Sequence, residues 1–378
     1  MTNQNLDLSS PSGGSQLAVV TADFNCDGKK DFATVDVGGH LGGFVYVHIQ
    51  QEHGTFSLSA NLSRLSPVQG LQDGQQYITL GNLATSDVNG DGAADLFAVG
   101  TDFDAVPNEI LLVWMGNGDG SFAEKAVQSW VVSSENADPA LGLALADFND
   151  GVIDIAVSDP KIYYYGSDDS GNPRGPGAVN IYLGDASSGQ FSEESLAPIE
   201  VGSAPFDIKV CNFNRDSYPD LLITNYFSNT TTVIFTNPAM PSLADDTSMA
   251  PDAEINIWYN DGSGLFNKRQ DLSTGQGYGL QLAAGYLDGD ENVDLVIASS
   301  SGDIQFLQGG RDGEFKAGTP LHQPEEQRAC GLALADFNGD GILDIVTADS
   351  PPLNPGDFLF APRGGANVII NTSFANER

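Results

Sequence analysis

Positive charge is what this chain has least of. Fifteen lysines and arginines stand against 51 aspartates and glutamates, for a formal net charge of −36 at pH 7. A surface of that sign repels nucleic acid and anionic membranes, so neither is an expected partner. Long apolar runs are also missing. Hydrophobic residues make up 40% of the chain, but no stretch reaches the roughly 20 apolar residues of a membrane span. Cysteine is scarce: Cys26, Cys211 and Cys330 are an odd number without a CxxC pair, which argues against a disulfide framework. The four histidines, His40, His48, His53 and His322, have no metal-ligand spacing. No HExxH, G-x-S-x-G or Walker loop occurs. Acids are so abundant that a paired-carboxylate site is neither singled out nor dismissed. A calcium-dependent polysaccharide lyase or hydrolase therefore stands as the enzymatic alternative.

Helical periodicity is absent too, and a repeat takes its place. The segment Asp23-Phe24-Asn25-Cys26-Asp27-Gly28-Lys29-Lys30-Asp31 recurs as Asp87 to Asp95 and as Asp336 to Asp344. Weaker copies run from Asp147 to Asp154, Asn212 to Asp220 and Tyr286 to Asp294. Each copy lies between short apolar segments, such as Leu17-Ala18-Val19-Val20 before it and Leu96-Phe97-Ala98-Val99 after it. A third apolar segment follows, then a Gly/Asn/Asp turn and a phenylalanine: Phe56, Phe122, Phe191, Phe266 or Phe315. That phenylalanine is expected to open a fourth strand and to pack between neighbouring units. Four short antiparallel strands per repeat describe the blade of an all-β propeller. The repeats lie near 15–62, 77–131, 140–197, 204–272, 279–319 and 329–375 of a single domain spanning 1–378. Six blades are expected; seven would need a degenerate blade hidden in the insertions. Residues 1–14 are expected to close the last blade, with Leu6–Leu8 as its fourth strand.

The spacing Asp-x-Asn-x-Asp-Gly-x-x-Asp sets oxygens at loop positions one, three, five and nine, and the carbonyl of position seven adds another. Hard Ca²⁺ takes six to eight oxygens, and a glycine at position six permits the sharp turn. An Asx-rich hairpin without metal is the alternative for any single loop; three full copies favour calcium. The complete sets are Asp23, Asn25, Asp27, Lys29 and Asp31; Asp87, Asn89, Asp91, Ala93 and Asp95; and Asp336, Asn338, Asp340, Ile342 and Asp344, where Lys29, Ala93 and Ile342 offer their carbonyls. The third loop is one residue short, leaving Asp147, Asn149, Asp150 and Asp154 out of register. The fourth, with Asn212, Asn214, Asp216, Tyr218 and Asp220, has Ser217 where glycine is wanted. In the fifth, Tyr286 and Glu291 replace the first and sixth residues, and Asp288, Asp290 and Asp294 remain.

These repeats resemble the FG-GAP/VCBS family, found in integrin α-subunit propellers, many secreted microbial proteins and some fungal lectins. The segment Ala335-Asp336-Phe337-Asn338-Gly339-Asp340-Gly341 lies close to its consensus, and the resemblance spans roughly residues 15–375. It implies a calcium-binding propeller. It does not choose among adhesion, sugar binding and enzyme accessory roles. Integrin propellers have seven blades, and a count of six departs from them.

With strands A to D counted outward, the metal loops (A–B) and the glycine-rich turns (C–D) share one face. The long insertions, including 101–109, 159–177, 225–254 and 349–366, fall on the other. Recognition is expected on that second face. Tyr163, Tyr165, Arg174, Phe358 and Arg363 there suit a sugar or peptide, or serve to pack the inserts onto the scaffold. The expected partner is a glycan or, in the alternative, an extracellular protein of cell adhesion. Weak calcium loops fill outside the cell, which points to an extracellular or cell-surface place. Met1–Ser15 is polar, without the basic start and apolar centre of a secretion signal; an extracellular chain of this kind has lost its signal or leaves by another route. The sequons at Asn61, Asn229 and Asn371 are compatible with secretion.

Overall fold

A run such as Leu96-Phe97-Ala98-Val99 carries apolar side chains to both sides of a strand, so both faces need cover. The computed structural model shows how they are covered. It describes residues 2–6, 15–37, 44–62, 78–102, 108–122, 128–133, 142–159, 177–185, 190–192, 195–201, 203–216, 218–227, 254–264, 266–273, 279–299, 303–311, 314–322, 328–350 and 365–371. Strands dominate, and among the described residues the one helical turn is a 3₁₀ turn at Glu52–Gly54.

Strand β1 (Thr2–Leu6) begins the chain. The first sheet follows, with β2 (Ser15–Ala22), β3 (Asp31–Val37), β4 (Phe44–Gln50) and β5 (Phe56–Leu62) side by side. The second has β6 (Ile78–Ser86), β7 (Asp95–Asp102), β8 (Asn108–Trp114) and β9 (Gln128–Ser133). In the third, β10 (Leu143–Ala146), β11 (Asp154–Asp159) and β12 (Ala178–Tyr182) precede a small ribbon of β13 (Gly184–Asp185) and β14 (Gln190–Phe191). The fourth place in that sheet belongs to β15 (Ile199–Glu200). The fourth sheet holds β16 (Ser203–Cys211), β17 (Asp220–Phe227), β18 (Glu254–Asn260) and β19 (Phe266–Ser273). The fifth holds β20 (Gly279–Gly285), β21 (Asp294–Ser299), β22 (Ile304–Gly309) and β23 (Phe315–Ala317). The sixth takes β24 (Arg328–Ala335), β25 (Asp344–Ser350) and β26 (Gly365–Ile370), and its fourth strand is β1.

All these pairings are antiparallel. In the sixth sheet Thr2 stands opposite Ile370 and Leu6 opposite Ala366. The described pairing runs over Thr2–Leu6, and residues 7 and 8 of the expected Leu6–Leu8 stretch lie outside the described residues. Phe56, Phe266 and Phe315 open the fourth strands of their sheets, as their spacing predicts. Phe191 does not: it sits in the β13–β14 ribbon. Phe122 lies in an isolated bridge with Gly116 ahead of β9.

The apolar side chains collect in six clusters, each shared by two successive sheets. Ala18, Ala33, Val47, Leu80 and Trp114 join the first sheet to the second. Val19, Phe32, Val346 and Val368 join the sixth back to the first. Neighbours in one strand therefore serve different interfaces, Ala18 one and Val19 the other. This is why the strands read as continuous apolar runs and not as alternations. The first strands also follow one another in a cycle: β2 packs on β6, β6 on β10, β10 on β16, β16 on β20, β20 on β24, and β24 on β2.

Those six strands surround a cavity of about 270 Å³ lined by residues such as Val19, Leu83, Leu143, Ile208, Ala283 and Leu332. Lys209 is the one charged residue of the lining, and its Nζ lies 2.8 Å from Asp207 Oδ1. Asp207 is fully buried and ties three sheets together. Its Oδ1 accepts from Asn82 Nδ2 at 2.9 Å, and its Oδ2 from Leu282 N at 2.9 Å. A buried carboxylate needs such partners to be tolerated.

His48, on β4, is a second buried polar group, and it is not satisfied. Its ring stacks on Phe32 (centroids 4.8 Å apart, 22° between planes), and Nδ1 has no hydrogen-bond partner. Burial pushes its pKa down to about 4 from 6.5. A base with a depressed folded pKa gives its full stability above 6.5 and loses it as pH falls from 6.5 through 4. The loss reaches about 3 kcal/mol, at 1.36 kcal/mol per pKa unit. Thermal melts at pH 7 and pH 4.5 should therefore show His48→Leu gaining on the native chain by several degrees at the lower pH. A gap between the two proteins that does not change with pH would rule this out.

Candidate metal centre

In the first, second and sixth loops the opening aspartate caps the turn. Asp87 Oδ1 accepts from Gly90 N (2.8 Å) and Asp91 N (3.1 Å), and Oδ2 from Gly92 N (2.8 Å). Asp336 repeats this with Gly339, Asp340 and Gly341, and Asp23 with Asp27 and Gly28. The third-position amide oxygens of Asn25, Asn89 and Asn338 accept from the fifth residue's N–H. The fifth-position carboxylates of Asp27, Asp91 and Asp340 accept from the N–H of Lys29, Ala93 and Ile342. Short polar side chains make such bonds to their own backbone readily. The sixth residue has a positive φ, +86° at Gly28, +88° at Gly92 and +81° at Gly341, with nothing near the missing Cβ. The requirement for glycine there is conformational and not steric.

The last aspartate of each loop, ninth in five of them and eighth in the shortened third, does something else, and does it in all six loops. Asp31, Asp95, Asp154, Asp220, Asp294 and Asp344 are buried at the start of the second strand of each sheet. Their Oδ2 atoms accept from the N–H of the second loop residue: Phe24, Val88, Phe148, Phe213, Leu287 and Phe337. Their Oδ1 atoms accept from the residue that ends or follows the third strand: Gln50, Gly116, Gly184, Asn260, Gly309 and Asn371. Each carboxylate thus latches its loop to the third strand. Burial raises the pKa of all six above 3.8, and the two backbone N–H groups pull against that. Nearby loop acids add to the rise: Asp23 and Asp27 act on Asp31, and Asp336 and Asp340 on Asp344.

The residue at the far end of the latch is glycine or an amide, a signal visible in the sequence and missed there. At Gly116, Gly184 and Gly309 a Cβ would meet the carbonyl oxygen of Ala94, Ile153 or Val293 at 2.3, 2.2 or 2.1 Å, so no other residue fits that backbone. Gln50, Asn260 and Asn371 instead send their side-chain amides across to the preceding sheet. They donate to the carbonyls of Phe337, Phe148 and Leu287 respectively. Asn371 is thereby buried and bonded, so this sequon is not an accessible glycan acceptor. The phenylalanines cross the same boundary. Phe122 meets Phe24 edge-on at 5.7 Å, Phe266 meets Phe148 at 5.6 Å, and Phe56 meets Phe337 at 5.9 Å.

The shortened third loop still forms its cap: Asp147 Oδ1 accepts from Asn149, Asp150 and Gly151 N–H groups. Asn149 Oδ1, however, is shielded from solvent and accepts no hydrogen bond. In the fourth loop Asn212 and Asn214 accept from Asp216 N–H, and Asp216 from Tyr218 N–H. In the fifth, Asp288 accepts from Asp290 N–H and Asp290 from Asn292 N–H, while Tyr286 is half exposed.

Among the described residues no group of three or more His, Cys, Asp or Glu is arranged to hold a metal ion. Donor chemistry nevertheless suits a hard cation. Each loop's acids repel one another, Asn149 Oδ1 is orphaned, and a carboxylate oxygen that accepts one N–H keeps a second lone pair. The complete loops contain two cations, Lys29 and Lys30, both in the first; Lys29 is exposed, with Nζ 3.3 Å from Asp27 Oδ2. Tyr163, Tyr165, Arg174, Phe358 and Arg363 lie outside the described residues. No helix among the described residues is long and apolar enough to cross a membrane.

Residues 286–347 match the family model of the FG-GAP-like repeat. The matched stretch runs from the first residue of the fifth loop through the sixth loop into β25. No curated protein matches the chain.

Proposed function

We propose that the chain is a calcium-stabilised, six-bladed β-propeller that acts outside the cell as a glycan-binding module. The single observation that carries the propeller reading is the cycle of first strands around one cavity, with a sixth cluster returning to the first sheet. Six four-stranded sheets are then six blades. Calcium is supported by repeated, mutually repelling acids at oxygen-rich spacing and by the orphaned Asn149 Oδ1. The ligands would be the side chains at positions one, three, five and nine and the carbonyl at position seven. That means Asp23, Asn25, Asp27, Lys29 and Asp31 in the first loop, with their counterparts in the second and sixth. A bound Ca²⁺ supplies charge neutralisation and a cross-link between loop oxygens, so its part is stiffness. Extracellular modules bind calcium at ~10⁻⁴–10⁻³ M, levels met outside cells.

Recognition is assigned to the face opposite the loops; Tyr163, Tyr165 and Arg174 fall in sequence between β11 and β12, and Phe358 and Arg363 between β25 and β26. Aromatic faces with a few polar groups suit sugar rings. Screening the protein on a glycan array in calcium should show a defined set of ligands, and Tyr163→Ala with Tyr165→Ala should weaken the best of them at least tenfold. Capture of extracellular proteins with no glycan signal would replace this reading with the adhesion one.

A further inference from the structure

The fourth loop position takes a positive φ: +72° at Gly90, +79° at Gly289 and +77° at Gly339. Two loops place a side chain there in spite of that, Cys26 at 57° and Arg215 at 63°. A residue with a Cβ is disfavoured in this conformation, so its retention asks for a reason. For Arg215 the reason lies in the next sheet. Its Nη2 donates to the carbonyl of Glu291 at 2.6 Å and to Asn292 Oδ1 at 2.6 Å, and its Nη1 lies 3.7 Å from Glu291 Oε2. The guanidinium of the fourth loop is therefore seated on the sixth and seventh residues of the fifth.

The fifth loop is the one that has lost its first ligand, to Tyr286, and its sixth glycine, to Glu291. It still carries Asp288, Asp290 and Asp294 beside Glu291. Its acids are met by donors of the chain itself: Gln308 Nε2 reaches Asp288 Oδ2, and Asn292 Nδ2 reaches Asp290 Oδ2, each at 2.5 Å. We propose that Arg215 is the resident cation of the fifth loop, which takes no calcium and holds the boundary between the fourth and fifth sheets in its absence. Charge and geometry agree: a planar guanidinium offers several donors at once, and it grips the Glu291 carbonyl and the Asn292 side chain beside the loop's acids. Hydrogen bonds from Asn292, together with the guanidinium's charge, hold the Asp290 carboxyl below its ordinary range. The inference rests on the calcium reading for the other loops, and its consequence is that metal binding is uneven around the molecule.

Hydrogen exchange on the full chain, in calcium and in chelator, tests this. Calcium should slow exchange in the first, second and sixth loops and leave residues 286–294 unchanged. Arg215→Gly relieves the backbone and removes the bridge, so it should speed exchange at residues 286–294 equally in both buffers. Equilibrium dialysis gives a second test. Arg215→Gly combined with Tyr286→Asp and Glu291→Gly should bind one more calcium than the native chain, and Tyr286→Asp alone should bind none extra. Slowing of residues 286–294 by calcium in the native chain would overturn the proposal, as would unchanged exchange in Arg215→Gly. If calcium alters no loop at all, the calcium reading fails, and the Arg215→Gly exchange still decides whether the bridge holds the boundary.

Discussion

Replacing Asp95 by alanine should cost the folded chain about 2–5 kcal/mol, measured by urea unfolding in the presence of chelator. Two N–H groups lose their acceptor, the part-buried Val88 at 3.1 Å and the buried Gly116 at 2.9 Å, and a buried orphan costs about 1–3 kcal/mol. Relief of a desolvated charge returns part of this, since burial already raises the Asp95 pKa. The loss wins because the Gly116 amide is buried and the Val88 amide is partly so. Asp95→Asn keeps one acceptor and sets an NH₂ against the other N–H, so it should recover at most half. Asp91, exposed and bonded within its own loop, is the control: Asp91→Ala should stay within about 0.5 kcal/mol without metal. Equal effects of the two alanine variants would show that the ninth aspartate is not a latch.

Chelation should have the other large effect. A ligand that binds only the folded state stabilises it by RT ln(1 + [L]/Kd). At 10 mM calcium and Kd near 10⁻⁴–10⁻³ M this is about 1.4–2.7 kcal/mol per site, on the order of 4–8 kcal/mol for three sites. The pH dependence has a definite sign. In the metal-free chain the ninth-position acids have folded pKa values raised above 3.8. Between 3.8 and those raised values the folded state holds more protons than the unfolded one, so metal-free stability falls as pH rises through that window. Calcium competes with the same protons and reverses the trend. The calcium-induced rise in melting temperature should therefore be larger at pH 7 than at pH 4.5. A rise of equal size at both, or none at either, would remove the metal from these loops.

The strands and the loops were legible because both are local signals. Apolar runs such as Ile110–Trp114 mark a strand buried on both faces, and Asp87 to Asp95 writes a turn in one contiguous stretch. The ninth aspartate was legible as an oxygen but not as a latch. Its partners stand seven residues away at Val88 and 21 away at Gly116, and the second distance depends on where the third strand ends. The third sheet was misread at its edge for a similar reason: Phe191 has the right turn before it, yet β15 supplies the outer strand.

The amino-acid sequence by itself determined the repeat, the all-β character, the position of each acidic loop and which loops depart from the nine-residue pattern. These follow from periodicity, turn chemistry and charge, none of which needs a distant partner. Only the tertiary structure decided what crosses between sheets. Gln50 meets the carbonyl of Phe337, Asn82 meets Asp207, and Arg215 meets Glu291 across separations that no spacing rule encodes. Each of those groups is polar, and burial or close approach makes an unmet partner costly. Their pairing is settled when the sheets close on one another, and that closure is where the sixth sheet borrows its last strand from the start of the chain.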